Sequence, residues 1–197
     1  MRRTYFVKQR RQTSATYGTR QSGVGLIEVL IAVLVFAVGV LGMITMQVEA
    51  KRSSYEATQR SIATSLARDI LERMRSNPDG LDSYVIGELG STAVAAGTDC
   101  NATSCSTTQL AGRDLYEWNE LLQGATEITL GAAKSGGLID SRACITNTTG
   151  FVTVAIAWKG VNDMTNPTDS TCGEGSGLYG TANVKRRLLY MTTFVRT

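Results

Sequence analysis

The chain has 197 residues, 43% hydrophobic and 19% charged, with four cysteines and no histidine. That balance excludes a disordered chain, and the missing imidazole excludes Ser-His-Asp triads, Cys-His dyads and His-ligated metal centres. The formal charge of +3 hides an uneven spread: residues 1–23 hold Arg2, Arg3, Lys8, Arg10, Arg11 and Arg20 and no acid, so the remainder carries an acidic excess. A basic head on an acidic body points to a targeting segment, not to a nucleic-acid-binding domain.

From Val29 to Val48 no residue is charged. A run of about 20 such residues crosses a hydrocarbon core of about 30 Å as a helix. The basic leader is expected to stay in the cytoplasm and the C-terminal body to be exported. Glu28 stands at the start of the apolar stretch, where a carboxylate is costly unless shallow or paired. Taken alone it reads as a snorkelling charge at the headgroups, with a charge kept for a partner as the sharper alternative. A cleavable signal peptide cut near Ala50-Lys51 is disfavoured, because helical sequence continues straight through that point.

Beyond Val48 the pattern turns amphipathic. Tyr55, Ile62, Leu66, Ile70 and Met74 fall at spacings of seven and four, flanked by Ala63, Ala67 and Leu71. Lys51, Arg52, Glu56, Arg60, Arg68, Asp69, Glu72 and Arg75 fill much of the other face. This is the core-facing stripe of a 3.6-period helix, stopped by Asn77-Pro78-Asp79-Gly80. Gly39 and Gly42 weaken the apolar half by about 1 kcal/mol each relative to alanine; they read as small packing residues, with a bend or local melting as the sharper alternative.

Residues 81–108 read as irregular loop and carry Cys100 and Cys105. Leu110 to Gln123 reads as a short amphipathic helix with Trp118 on its packed side. Asp114, Glu117 and Glu120 read as solvated charge on the other side. Strand patterns follow at Glu127–Leu130, Leu138–Thr146, Phe151–Trp158 and Val184–Val195, the last with Leu188, Tyr190, Thr192 and Phe194 on one face. Residues 160–180 form a glycine-rich loop with Pro167 and Cys172. Lys185-Arg186-Arg187 reads as an edge-strand charge cluster that discourages sheet pairing. Three or four strands joined by turns suggest an antiparallel meander with one face on the helix, an α+β layout.

An exported body sits in an oxidising compartment, so disulfides are the default. Four cysteines allow three connectivities. The favoured one joins Cys100 to Cys105, pinning a small loop, and Cys144 to Cys172, tying a strand to the loop before the last strand. No CxxC pair occurs, which disfavours zinc. No metal or cofactor is expected, no direct nucleic-acid site is evident, and with no catalytic constellation the chain reads as non-enzymatic.

Gly23 followed by Val24-Gly25-Leu26-Ile27-Glu28-Val29-Leu30-Ile31-Ala32 resembles the class III signal of type IV prepilins and type II secretion pseudopilins. The resemblance implies cleavage by a prepilin peptidase between Gly23 and Val24 on the cytoplasmic side. It also implies N-methylation of Val24 and retention of the apolar helix, with Glu28 near the new terminus. Val24 stands where phenylalanine or methionine is commoner, and Gly25 where threonine is commoner. Residues 28–34, with Gly39-Val40-Leu41-Gly42-Met43 and Gln47, further resemble the PilV family of type IV pilus modification proteins. Asp114–Trp118, Cys144 and Trp158 resemble it more loosely.

That likeness implies a lollipop-shaped pilin fold: a basic leader over 1–23, a membrane or filament-core helix over 24–48 and a periplasmic head over 49–197. The implied role is a minor pilin anchored once in the inner membrane and carried into the pilus, where it primes or modifies assembly. Its partners would be the peptidase, other minor pilins and the major pilin, with consequences for twitching, adhesion or DNA uptake. A minor pseudopilin of type II secretion shares the same motif. A membrane-anchored periplasmic enzyme or receptor is the alternative of another class.

Overall fold

The computed structural model of the chain describes residues 23, 25–90, 94–124 and 136–196. The expected leader through residue 22, Val24 and the expected strand Glu127–Leu130 lie outside the described residues. The chain divides into two compact units, one through Met46 and one from Gln47.

Helix α1 runs from Leu26 to Ser76. It opens where the Gly25 carbonyl oxygen accepts the N–H groups of Glu28 at 3.0 Å and Val29 at 3.3 Å. In the first unit every described residue is exposed. The helix continues through Gly39 and Gly42 without interruption, so the alternative of local melting is absent from the backbone. Proline is missing from the run, and a helix satisfies all its backbone groups internally, the requirement set by lipid.

In the second unit α1 buries Gln59, Ala63, Leu66, Ala67, Ile70, Leu71 and Met74. Ala63, Ala67, Ile70 and Met74 are all fully buried, so this stripe mixes small and large side chains. After Ser76 the chain turns through a 3₁₀ segment, Pro78–Tyr84, with proline at its first position, where the missing N–H costs nothing. Strand β1, Ile86–Leu89, follows. Both elements correct the irregular-loop reading of this stretch. The strand is four residues long with Gly87 and Glu88 exposed, too short for alternation to register, and Leu81, Tyr84 and Leu89 anchor the region in the core.

Helix α2, Thr107–Leu122, begins at a capping box. The Gln109 N–H donates to Ser106 Oγ, and Gln109 Oε1 accepts from the Ser106 N–H. Its apolar side buries Ala111, Leu115, Trp118 and Leu122, and Trp118 Nε1 donates to the Leu66 carbonyl oxygen of α1 at 2.9 Å. That bond satisfies the one polar atom of a fully buried indole.

The remaining strands are β2 (Arg142–Thr148), β3 (Phe151–Lys159) and β4 (Arg186–Phe194). The sheet has order β1-β2-β3-β4 and every pairing is antiparallel. Thr149 and Gly150 form the two-residue turn between β2 and β3, both at positive φ, which matches the right-handed twist of the strands. Val152, Val154, Ile156 and Trp158 of β3 join Ala143 and Ile145 of β2 in the core with α1 and α2. The expected alternation on β4 is present. Tyr190, Thr192 and Phe194 are exposed, while Leu189 and Met191 pack against the core. Phe151 and Phe194 meet on the outer face with ring centroids 5.1 Å apart.

Candidate functional site: an exposed apolar helix and a charge-clamped head

The N-terminal site is built by sequence alone. Gly23 is exposed, and no heavy atom lies within 4 Å of where its side chain would start. Glu28 lies in the first turn of α1, where a carboxylate is favoured by the positive end of the helix dipole. Val29, Ala32, Val33 and Phe36 flank it in a shallow groove. Leu26 is 79% exposed and Phe36 72%. A bare apolar surface of this extent on one helix is a membrane or protein contact, not a solvated face. The same helix is long and apolar enough to cross a membrane. Val24, the residue expected to carry the new terminus, lies outside the described residues.

Two disulfides join Cys100 to Cys105 and Cys144 to Cys172, with Cα atoms 5.4 Å and 5.9 Å apart. The second ties β2 to the segment between β3 and β4 and lays Cys172 over the small outward residue Ala155, whose carbonyl oxygen lies 3.6 Å from the Cys172 sulfur.

Three charged clusters among the described residues tie elements of the head together, and their members Glu56, Asp69, Asp114, Glu117, Arg186 and Arg187 read from the sequence as surface charge. Arg73 of α1 donates from Nε to Asp69 Oδ2, and from Nη1 to Asp114 Oδ1 and Glu117 Oε2, each at 3.0 Å. Asp114 is 8% exposed and also accepts the Tyr84 hydroxyl. Burial and the Asp114 carboxylate push the Tyr84 hydroxyl above its ordinary range. Burial alone would lower the Arg73 guanidinium, but Glu117 and Asp114 outweigh it and hold it above its usual value. Asp114 and Glu117 are thus a bridge between α1 and α2, not solvated charge. The i, i+4 spacing of Asp69 and Arg73 was the available signal.

Arg186, read as an edge charge, is fully buried. Its Nε donates to Asn166 Oδ1 at 2.8 Å. Its Nη1 donates to the carbonyl oxygens of Ser170 and Cys172, and its Nη2 to those of Pro167 and Ser170 and to Glu174 Oε1. One guanidinium so organises the long β3–β4 connection. Arg187 faces α1 and donates to Glu56 from Nε and Nη2 at 3.1 Å each. Glu56 also accepts the N–H of Val161 at 2.7 Å. A side chain at Gly160 would start 2.5 Å from the Arg187 guanidinium carbon, so it would push that guanidinium off its place beside Glu56. Among the described residues no cluster of histidine, cysteine, aspartate and glutamate is arranged to hold a metal ion.

Residues 18–44 match the family model described as the prokaryotic N-terminal methylation motif. Residues 45–116 match the one described as Tt1218-like, Type IV pilin Tt1218. The two matches support a type IV pilin with a class III prepilin signal. The first encloses Gly23, Val24 and Glu28. The second covers the packed half of α1, the 3₁₀ segment, β1, the Cys100–Cys105 loop and the first part of α2, which fits a pilin fold of long helix and small antiparallel sheet. No curated protein and no solved structure matches the chain. The methylation motif implies processing by a prepilin peptidase and assembly with other pilins, and with the apolar helix it suggests membrane anchoring and incorporation into a pilus. Pilins of this family are structural proteins.

Proposed function

We propose that the chain is a minor pilin of the PilV type, cut between Gly23 and Val24, N-methylated at Val24 and inserted into type IV pili to prime or modify their assembly. The observation that carries this reading is the junction itself. A glycine closes a basic leader, a glutamate follows in the first helical turn, and the uncharged stretch Val29–Val48 is exposed along its whole length. Residues 24–48 act as the membrane and filament-core helix, and residues 49–197 as the periplasmic head.

Glu28 supplies the registration step. In a membrane-resident monomer its carboxylate lies near the cytoplasmic headgroups, within reach of water. Entry into a filament removes that water, and a desolvated carboxylate then needs a cation. Cleavage creates one, the amine of Val24, on this subunit or on a neighbour. In a medium of low dielectric that pair is far stronger than in water.

Intact mass and N-terminal sequencing of the membrane form test the processing, with a methylated chain beginning at Val24 as the expected result. A chain that retains Met1, or one that begins near Ala50, overturns it. Gly23→Glu is expected to block processing and leave insertion intact. Glu28→Ala is expected to leave a processed chain in the membrane and to deplete it from sheared pili. Equal recovery in wild-type and mutant pili would make Glu28 a tolerated rim charge.

A further inference from the structure

A cleft of about 370 Å³ opens in the head between α1, the segment after β3 and the start of β4, with Glu56, Ala57, Arg60, Trp158, Met164 and Arg187 among its lining residues. Trp158 is 3% exposed and Met164, at the mouth, 58% exposed. The charges of this cleft do not balance. Glu56 is committed to Arg187 and to the Val161 N–H. Arg60 is exposed and has no ion pair among the described residues. Among the described residues two buried N–H donors, Trp158 Nε1 and Arg187 Nη1, have no acceptor. Buried donors of this kind are rare in native proteins and call for an explanation. Both atoms are closed to solvent, so the cation of this cleft most open to an incoming group is Arg60.

The walls are held in place before any ligand arrives. Arg187 is fixed by Glu56 and by the Asn162 carbonyl oxygen at 2.6 Å. Arg186 holds the far end of the same connection, and the Cys144–Cys172 disulfide ties it to β2. A preformed site of this sort binds without the cost of ordering a loop. Tryptophan, arginine and methionine around a concave apolar floor are also the residues enriched at the energetic centres of protein interfaces. Val161, beside the cleft, and Met164, at its mouth, are both exposed, so the apolar surface continues outside the cleft. That continuation favours a chain segment over an enclosed small molecule.

We propose that this cleft seats an acidic, apolar segment of a neighbouring pilin subunit, with an apolar side chain against Met164 and a carboxylate drawn to Arg60. The proposal rests on the pilin reading and names a contact on the head, separate from the apolar helix.

The test places the photo-crosslinking residue benzoylphenylalanine at position 164 of the full chain in cells, with position 101, also exposed, as control. The expected product joins position 164 to a second subunit that bears a methylated N-terminus. The attachment site is expected in a segment where aspartate or glutamate lies beside an apolar residue. Arg60→Glu is expected to cut that product at least about fivefold, with Arg60→Lys retaining most of it and all three chains unfolding at the same temperature. Equal yield from the Arg60→Glu chain overturns the proposal. So does capture of lipid or nucleic acid, or of nothing, by a processed chain recovered in sheared pili. A chain left uncut at Gly23 overturns the pilin reading, and this proposal with it.

Discussion

The two halves of α1 share a backbone conformation and almost nothing else. From Leu26 to Met46 every residue is exposed, and the apolar side chains point in all directions. From Gln59 to Met74 the apolar residues keep to one stripe, seven residues are buried, and charged groups take the remaining surface. A helix that is hydrophobic all round belongs in lipid or in a dry assembly, whereas an amphipathic one belongs on a core. In the first half composition dictates the surroundings. In the second, position does. Mutation therefore has different consequences in the two halves, although the element is one.

The sharpest way to break this comparison is to remove the same kind of volume from each half. Ile70→Ala opens a cavity in the head core and is expected to cost about 2–5 kcal/mol, read as a lower urea midpoint of the full chain in detergent micelles. Leu34→Ala removes a side chain that touches no core, and the same head transition is expected at an unchanged midpoint. An equal loss from both variants would mean that the first half is packed after all.

Next in size is the disulfide pair. Closing the 28-residue separation of Cys144 and Cys172 restricts the unfolded head more than closing the 5-residue separation of Cys100 and Cys105. Loop-closure entropy assigns them about 3.5 and about 2 kcal/mol. Replacing Cys144 and Cys172 together by alanine is therefore expected to lower the urea midpoint further than the same change at Cys100 and Cys105. The helical signal that survives head unfolding in micelles, contributed by the apolar half, is expected to be the same in both. The reverse order would show that the small loop, and not the strand tie, holds the head.

Arg73→Met removes the cation between α1 and α2 and strands the buried Asp114 carboxylate. A loss of about 2 kcal/mol is expected, as for hydrogen bonds to charged groups, with partial recovery in Arg73→Met/Asp114→Asn. A loss no larger than that of a typical exposed ion pair, below about 1 kcal/mol, would place the cluster on the surface where the sequence reading put it.

Those three tests divide along the line between what was legible in the sequence and what was not. The apolar run, the amphipathic stripe, α2 and strands β2 to β4 could be read because burial imposes a period, and a period survives in one dimension. Strand β1 could not, since four residues with an exposed glycine and glutamate carry no alternation. The junction at Gly23 and Glu28 was legible as a motif, because its chemistry lies in consecutive residues. Arg73, Arg186, Glu56 and Asp114 were misjudged or passed over for the opposite reason. Charge alone predicts exposure, and their burial depends on partners 12 to 131 residues away, as in Arg186 with Glu174 and Arg187 with Glu56. One signal was present for Arg186: with Arg187 it opens a strand otherwise built of apolar and hydroxyl residues. Only the pairing in three dimensions turns that oddity into a clamp.

The smallest expected effect is a pH dependence confined to the head. Hydrogen bonds from Arg113 and Arg73 hold the Glu117 carboxyl below its ordinary range. Burial pushes the Glu56 carboxyl up, but the Val161 N–H and the Arg187 guanidinium pull it down by more, so it too ends below ordinary. In the unfolded chain both return to about 4.3. A carboxyl depressed by folding contributes stability that is fully present above the unfolded value and is lost as pH falls through the folded one. The head's urea midpoint is therefore expected to be level on this account from about pH 7 to about pH 5 and to drop below about pH 4. Glu117→Gln keeps an acceptor but not the charge, so it lowers the level at pH 7 and has less to lose in acid. Both groups are part-exposed, so solvent screening keeps the difference small. What decides the matter is the gap between the wild-type and Glu117→Gln midpoints, which is expected to narrow steadily from pH 5 to pH 3. A gap as wide at pH 3 as at pH 7 would show that Glu117 contributes through packing and not through its charge, leaving Asp114 to carry the α1–α2 bridge.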